Sequence, residues 1–221
     1  RFDRLRPAAL GVAIAILLAA CGTQPQTRPA GIPGVPVTET PQGEPLTPQM
    51  AAAADTLTKM AALQDRLYRV AAPLLIDNAE LCTKHARNLL GFTAKNRHSY
   101  PGLYNEAAHV AFGMEERLQV TGVLAGSGAS KAGLRLGDAL VAAGGKPLPS
   151  GPNALAGAAA IFNPIVASQS KLPLTIDRDG RMRDLSIPVT RACGFGIELG
   201  NGDNVNAYAD GSRIMVTRGM L

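Results

Sequence analysis

The side chains best suited to chemistry in this chain are three cysteines, three histidines and a scatter of acids, and their spacing limits what they can do together. His85, His98 and His109 have no histidine one helical turn away and no glutamate directly after them, so they cannot build the His-Glu-x-x-His turn of a zinc hydrolase. Cys82 and His85 stand three apart, but a pair of ligands makes no zinc site. Ser127 and Lys131 have the spacing of a Ser/Lys dyad, yet no Gly-x-Ser-x-Gly elbow frames the serine. Asp177, Asp179 and Asp184 alternate with arginines around a turn, the pattern of a solvated hairpin. No glycine pattern fits a phosphate loop. The expectation is a chain with no complete catalytic site, no metal and no cofactor of its own.

The cysteines are the exception. Basic residues Arg1 to Arg6 precede an apolar run from Ala8 to Ala20, which ends in Leu18-Ala19-Ala20-Cys21. Small residues before a cysteine suit a narrow peptidase site, and the thiol accepts a diacylglyceryl group. Residues 1–21 are thus expected to be a lipoprotein signal peptide with a lipobox, lipidated at Cys21. The thirteen apolar residues fall short of the roughly 20 that cross a bilayer core. Gly22, by resemblance to bacterial lipoproteins, implies the outer membrane, with the protein facing the periplasm. Once Cys21 is acylated, Cys82 and Cys193 remain, and an exported pair in an oxidising compartment is expected to form a disulfide.

The elements that must position any site divide the chain unevenly. Residues 22–49 carry seven prolines with Gly, Thr and Gln and almost no large apolar side chain, so they are expected to be a disordered tether. Residues 50–88 form a helical segment. Thr47-Pro48 supplies its N-cap and first-turn proline, and Met60, Leu63, Leu67, Val70 and Leu74 recur at helical spacing to mark an apolar stripe. Pro73 should kink or end that helix. The formal charge of +5 shrinks to +3 once Arg1, Arg4 and Arg6 are set against Asp3, and aromatics are only 4% with no tryptophan, so no nucleic-acid partner is expected.

From Leu118 to Val189 the pattern reads strand, short helix, strand, longer helix from about Pro152 to Ser168, and two strands joined by Asp177-Arg178-Asp179-Gly180. Within it, Val123-Leu124-Ala125-Gly126-Ser127-Gly128-Ala129-Ser130-Lys131-Ala132-Gly133-Leu134-Arg135-Leu136-Gly137-Asp138-Ala139-Leu140, followed by Gly145-Lys146-Pro147-Leu148, closely resembles the bacterial PDZ signature. Gly133 can end the short helix in a left-handed cap, and Gly137 can open the bend before the next strand. The resemblance implies an α+β fold over residues 89–190, a small PDZ-like β-barrel or sandwich with two helices. It also implies binding of extended or C-terminal peptides of envelope proteins by addition to a sheet edge. Leu89-Leu90-Gly91-Phe92 is similar to the family's Gly-Leu-Gly-Phe carboxylate loop, differing at the first position and followed by an insertion of about 25 residues before the next strand. Leu155, Ala159 and Phe162 share the helix face that would border the groove, or serve as ordinary core.

Residues 191–221 are expected to close in a β-hairpin about the Asp210-Gly211 turn. The segment from Asn204 to Leu221 resembles the Asn-Ala-(aromatic)…Ile-x-Val-Thr-x-Gly-Leu stretch of membrane-associated gluzincin peptidases, which include the CAAX prenyl proteases and the heat-shock protease HtpX. That resemblance implies that Asn206, Ala207 and Tyr208 present an edge to an extended substrate. It also implies a zinc-binding helix downstream of Leu221, so that zinc belongs only to a part beyond this chain. Two readings stay open: the front portion of a lipid-anchored zinc metalloendopeptidase in envelope quality control, or a stand-alone PDZ lipoprotein that binds peptides without chemistry.

Overall fold

In the computed structural model, which describes residues 45–221, the Thr47 hydroxyl accepts a hydrogen bond from Met50 N–H at 3.2 Å and Pro48 occupies the first turn of helix α1, Pro48–Asp77. Both features pre-organise a helix start, because Pro lacks an N–H that would go unpaired there anyway. The 30-residue helix is about 45 Å long at 1.5 Å per residue. Pro73 does not end it: the chain stays helical to Asp77, with Pro73 on the exposed side. The expected apolar stripe is also shifted. Leu67 is buried, but Val70 and Leu74 are 60% and 62% exposed, and the buried seam runs through Ala53, Ala54, Leu67, Ala71, Ala72 and Leu75. Small alanines let the helix lie close to its neighbours, a packing signal that apolar periodicity alone understates.

After a 3-10 turn at Thr83–His85 come β1 (Ala86–Leu89) and β2 (Phe92–Lys95). The expected insertion holds a 3-10 turn at Arg97–Ser99 and helix α2 (Leu103–Phe112), which packs on α1. There follow β3 (Gln119–Val123), α3 (Gly128–Lys131), β4 (Ala139–Ala143), β5 (Lys146–Pro147), α4 (Ala154–Ser168), β6 (Lys171–Arg178) and β7 (Arg181–Pro188). The β6–β7 turn has Asp179 at φ 55° and Gly180 at φ 75°, both left-handed, as the tightest hairpin turns require. Last come β8 (Thr190–Cys193), β9 (Gly196–Gly200), β10 (Ala207–Ala209) and β11 (Arg213–Thr217).

These strands make an α+β fold with a main sheet in the order β2-β3-β4-β6-β7, β5 pairing with β4. Of the barrel or sandwich expected, the described residues form an open sheet whose strands do not close into a barrel. Its core joins Leu118, Val120, Leu140, Leu172, Leu174, Ile176 and Ile187 from the sheet to Ala158, Phe162 and Ile165 of α4. On the other face, Gly122 leaves room for the Tyr68 ring of α1, since a Cβ there would lie 2.8 Å from Tyr68 Cε2. The main sheet is thus flanked by α4 on one side and α1 on the other.

One strand pair joins the two ends of the expected PDZ-like span. β1 pairs antiparallel with β8, Ala86 opposite Cys193 and Leu89 opposite Thr190, so this ribbon straddles both ends of the 89–190 span. Within the terminal segment, the expected hairpin β10–β11 is present and β9 adds to it in parallel, giving the order β10-β11-β9. Cys82 and Cys193 are joined by a disulfide, with Cα atoms 5.5 Å apart across 111 residues of sequence. It fastens the segment after α1 to the β1–β8 ribbon. Cys21, the signal segment and the tether up to residue 44 lie outside the described residues, and the helix starts at Pro48, inside the stretch assigned to the tether. Among the described residues no helix is long and apolar enough to cross a membrane.

Candidate peptide-binding edge

The loop Leu89-Leu90-Gly91-Phe92 turns the chain from β1, held by β8, into β2, held by β3. Gly91 makes the turn possible with φ 78°. Its carbonyl accepts from Leu124 N–H at 2.9 Å and from the Ser127 hydroxyl at 3.2 Å. Because Leu124 N–H bonds to Gly91 O, Phe92 and Val123 face each other as a non-hydrogen-bonded pair, which turns the Phe92 N–H and C=O away from β3 toward the free edge of the sheet. Among the described residues, the Leu90 and Gly91 N–H groups have no backbone or side-chain acceptor either. Three consecutive backbone donors are therefore gathered at one end of an open strand, an arrangement suited to an anionic chain terminus.

A small-residue platform holds the loop from beneath. Ser127 is fully buried and caps α3 by accepting from Ser130 N–H at 3.2 Å. Gly128 N–H donates to the buried Thr190 hydroxyl at 2.8 Å, and any Cβ on Gly128 would run into the Pro188 carbonyl. Gly133, at φ 78°, closes the helix, and Gly137, at φ 87°, turns the chain toward β4. The Asp138 carboxylate that follows is 1% exposed. It accepts from Arg135 N–H at 2.8 Å and takes both arms of Arg178, at 2.6 and 2.7 Å. Arg178 also donates to Gly133 O at 2.8 Å, and its guanidinium is held above the usual range chiefly by the bond to Asp138, against the opposing effect of burial. The Gly-Asp step is thus a latch between the α3 segment and the β6–β7 hairpin.

Helix α4 runs alongside β2 in the opposite sense, braced at both ends by asparagines. Asn88 Nδ2 donates to Val166 O at 3.1 Å near the loop, while the buried Asn96 donates to Gly151 O at 2.8 Å and Glu116 O at 2.9 Å beyond the far end of β2. The three groove residues expected from sequence divide. Phe162 is only 5% exposed and meets Phe92 edge-on at 5.9 Å, so it belongs to the core beneath the loop. Leu155, 54% exposed, and Ala159, also exposed, continue the same helix face into solvent. Leu155 and Ala159 thus leave an exposed apolar helix face beyond the Phe92–Phe162 contact.

Asn206, Ala207 and Tyr208 lie in a different sheet. Asn206 bonds to the Thr217 hydroxyl through its N–H at 3.0 Å and to the Tyr208 hydroxyl through its side chain at 2.9 Å. β10 is exposed throughout and pairs only with β11 among the described residues. No group of three or more His, Cys, Asp or Glu able to hold a metal occurs among the described residues. His98 instead contacts Glu116 at 2.9 Å and His109 contacts Glu115 at 2.9 Å, two separate pairs that fasten the insertion. Sequence reasoning missed Ser127 as a buttress, Thr190, the two asparagine braces and Arg178. A burial pattern around the Gly-Asp step was the one available signal, since an acid enclosed by apolar strands demands a cation.

No protein-family model matches the chain, and no curated protein matches it. Among solved structures, the chain is similar to the crystal structure of the HtrA3 PDZ domain bound to the phage-derived ligand FGRWV, at 19% identity and a TM-score of 0.35, over 48% of this chain and 88% of that one. It is also similar to the HtrA-type protease AlgW with a decapeptide, at 14% identity and a TM-score of 0.35, over 66% of this chain. In that comparison the chain spans 36% of the length of AlgW.

Proposed function

We propose that the chain binds extended polypeptide, with a preference for free C-termini, by adding it as a new strand to the open edge of β2 beside α4. The observation that carries this reading is the Phe92 backbone turned to the free edge of β2, beside Leu90 and Gly91 N–H groups without an acceptor among the described residues and an apolar helix face at Leu155 and Ala159. An added strand would satisfy the Phe92 backbone and place alternate side chains against α4, while its terminal carboxylate would meet donors that have no partner of their own. Binding at this edge needs no cofactor. The PDZ-like sequence from Val123 to Leu148 and the named ligands of the two similar structures support the same reading.

The wider setting belongs to the same proposal. The lipobox at Cys21 supports anchoring to the envelope by lipid, facing the periplasm, where the ligands would be termini of envelope proteins. The β10–β11 hairpin, with its likeness to gluzincin peptidases, supports a place in front of a zinc endopeptidase domain rather than in a free-standing adaptor.

Fluorescence anisotropy with a library of labelled peptides, each made as free acid and as C-terminal amide, tests the binding site. Free acids should bind at least tenfold more tightly, a difference of about 1.4 kcal/mol. Equal binding of acid and amide would remove the carboxylate loop from the proposal, and no binding of any peptide would remove the groove. For the setting, Cys21→Ala should move the mature protein from membrane to soluble fractions; unchanged partition would end the lipid assignment.

A further inference from the structure

Helix α1 has two faces, and only one of them has a use in the fold. The alanine seam packs inward, whereas Val70 and Leu74 are the only large apolar side chains of α1 left more than half exposed. They stand one turn apart, with the exposed Pro73 between them on the same side. Arg66 lies one turn before this patch and Asp77 just after it, both exposed. The other charged pairs along α1 are internal, Lys59 with Asp55 and Arg69 with Asp65, each at 2.7 Å. Arg66 and Asp77 make no ion pair among the described residues.

This spacing is self-complementary. A two-fold axis crossing the helix beside Ala72 would lay Val70 on Leu74 of a second copy, and Leu74 on its Val70. The same axis brings Arg66 beside Asp77 of the second copy, and repeats that pair on the other side. An antiparallel helix pair with a central apolar patch and opposite charges at either end is the form a two-fold interface takes, because one surface must serve both partners. A parallel pairing would instead set Arg66 against Arg66 and Asp77 against Asp77. We infer that the exposed face of α1 from Arg66 to Asp77 is a self-association surface, which pairs two copies of this chain antiparallel about Ala72. The patch is small, so the dimer is weak and concentration-dependent. It leaves the β2 edge free in both copies, so the inference stands or falls separately from peptide binding.

Sedimentation velocity of the full chain over a concentration series tests the surface. Residues 1–44 are common to every variant, so association caused by that part is the same in all of them. Mass-averaged sedimentation should rise with concentration in the wild type and lose that rise in the Val70→Ser, Leu74→Ser double variant. Arg66→Glu should weaken the dimer roughly tenfold, because each repulsion is counted twice, and Arg66→Glu combined with Asp77→Arg should restore it. All these positions are exposed, and circular dichroism verifies that each variant is folded. A wild type that sediments no differently from the serine variant at every concentration overturns the inference. So does a charge swap that fails to recover what the single reversal lost. Loss of phosphatidylcholine-vesicle binding in the serine variant without any change in self-association would also overturn it, assigning the face to lipid instead.

Discussion

Gly91 and Ser127 are packed so closely that a Cβ on the glycine would lie 2.7 Å from both the Cβ and the Oγ of the serine. The two residues are 36 apart in sequence and are joined by a hydrogen bond from the serine hydroxyl to the glycine carbonyl. The donor loop is therefore shaped by contact with the α3 cap as well as by its own backbone preference. Gly91→Ala should cost stability twice, through the left-handed φ and through the clash, for a total of about 2 to 4 kcal/mol. Combining it with Ser127→Gly should relieve the clash and leave the backbone penalty. Urea denaturation of the three proteins measures this, and a fully additive double variant would contradict the contact.

The buried ion pair between Asp138 and Arg178 gives a second test. Asp138→Ala takes the carboxylate from a guanidinium that keeps contact with solvent and should cost about 1 to 3 kcal/mol, whereas replacing both, as Asp138→Leu with Arg178→Met, should cost distinctly less. Chemical denaturation of the single and double variants gives the coupling. If the double variant loses as much as the sum of two singles, the latch is not a unit.

Along α4 the structure separates packing from recognition. Phe162→Ala removes an enclosed ring against Phe92 and should lower stability by about 3 to 5 kcal/mol. Leu155→Glu and Ala159→Glu sit on exposed positions and should leave the denaturation midpoint nearly unchanged while weakening peptide binding. Parallel unfolding and anisotropy measurements decide it; a binding-neutral Leu155→Glu would place the ligand elsewhere.

Reduction of the Cys82–Cys193 disulfide should destabilise the chain strongly, because the bridge closes 111 residues of sequence. The chain-entropy model gives about 4 to 5 kcal/mol for a loop of that size. A Cys82→Ser, Cys193→Ser protein should unfold at correspondingly lower urea, and an unchanged midpoint would contradict the bridge.

Alkaline pH should act through Tyr68 and Tyr100. Burial pushes both phenols above their ordinary value of 10.0, with a smaller opposing effect at Tyr68 from a hydrogen bond with Thr93. The folded state thus holds these protons more tightly than the unfolded chain does. Their contribution is fully present below about pH 10 and is lost as pH rises through the higher folded values. Relative to wild type, a Tyr68→Phe, Tyr100→Phe protein should lose less stability between pH 9 and about pH 11.5. Identical pH profiles would show that neither phenol is enclosed.

The order of elements from β3 to β7 was legible because each is punctuated locally. Gly133, Gly137 and the Asp179-Gly180 turn adopt the left-handed conformations that their positions demand. The helix start at Thr47-Pro48 was legible for the same reason. The stripe on α1 was misread because two alanines can seal a helix against a neighbour as well as a leucine can, while Val70 and Leu74 point outward.

By itself, the sequence determined where α1 begins, the order of elements from β3 to β7, and the turns at Asp179-Gly180 and Asp210-Gly211, since capping, turn geometry and periodicity act over a few neighbours; it did not show α2 or the Ser127 buttress. Only the tertiary structure decided that β1 pairs with β8 across about a hundred residues, that Phe162 is core while Leu155 is open, and that Asp138 finds Arg178. Those outcomes depend on burial and on long-range partners, which are set when the chain closes on itself and are not encoded in any short window.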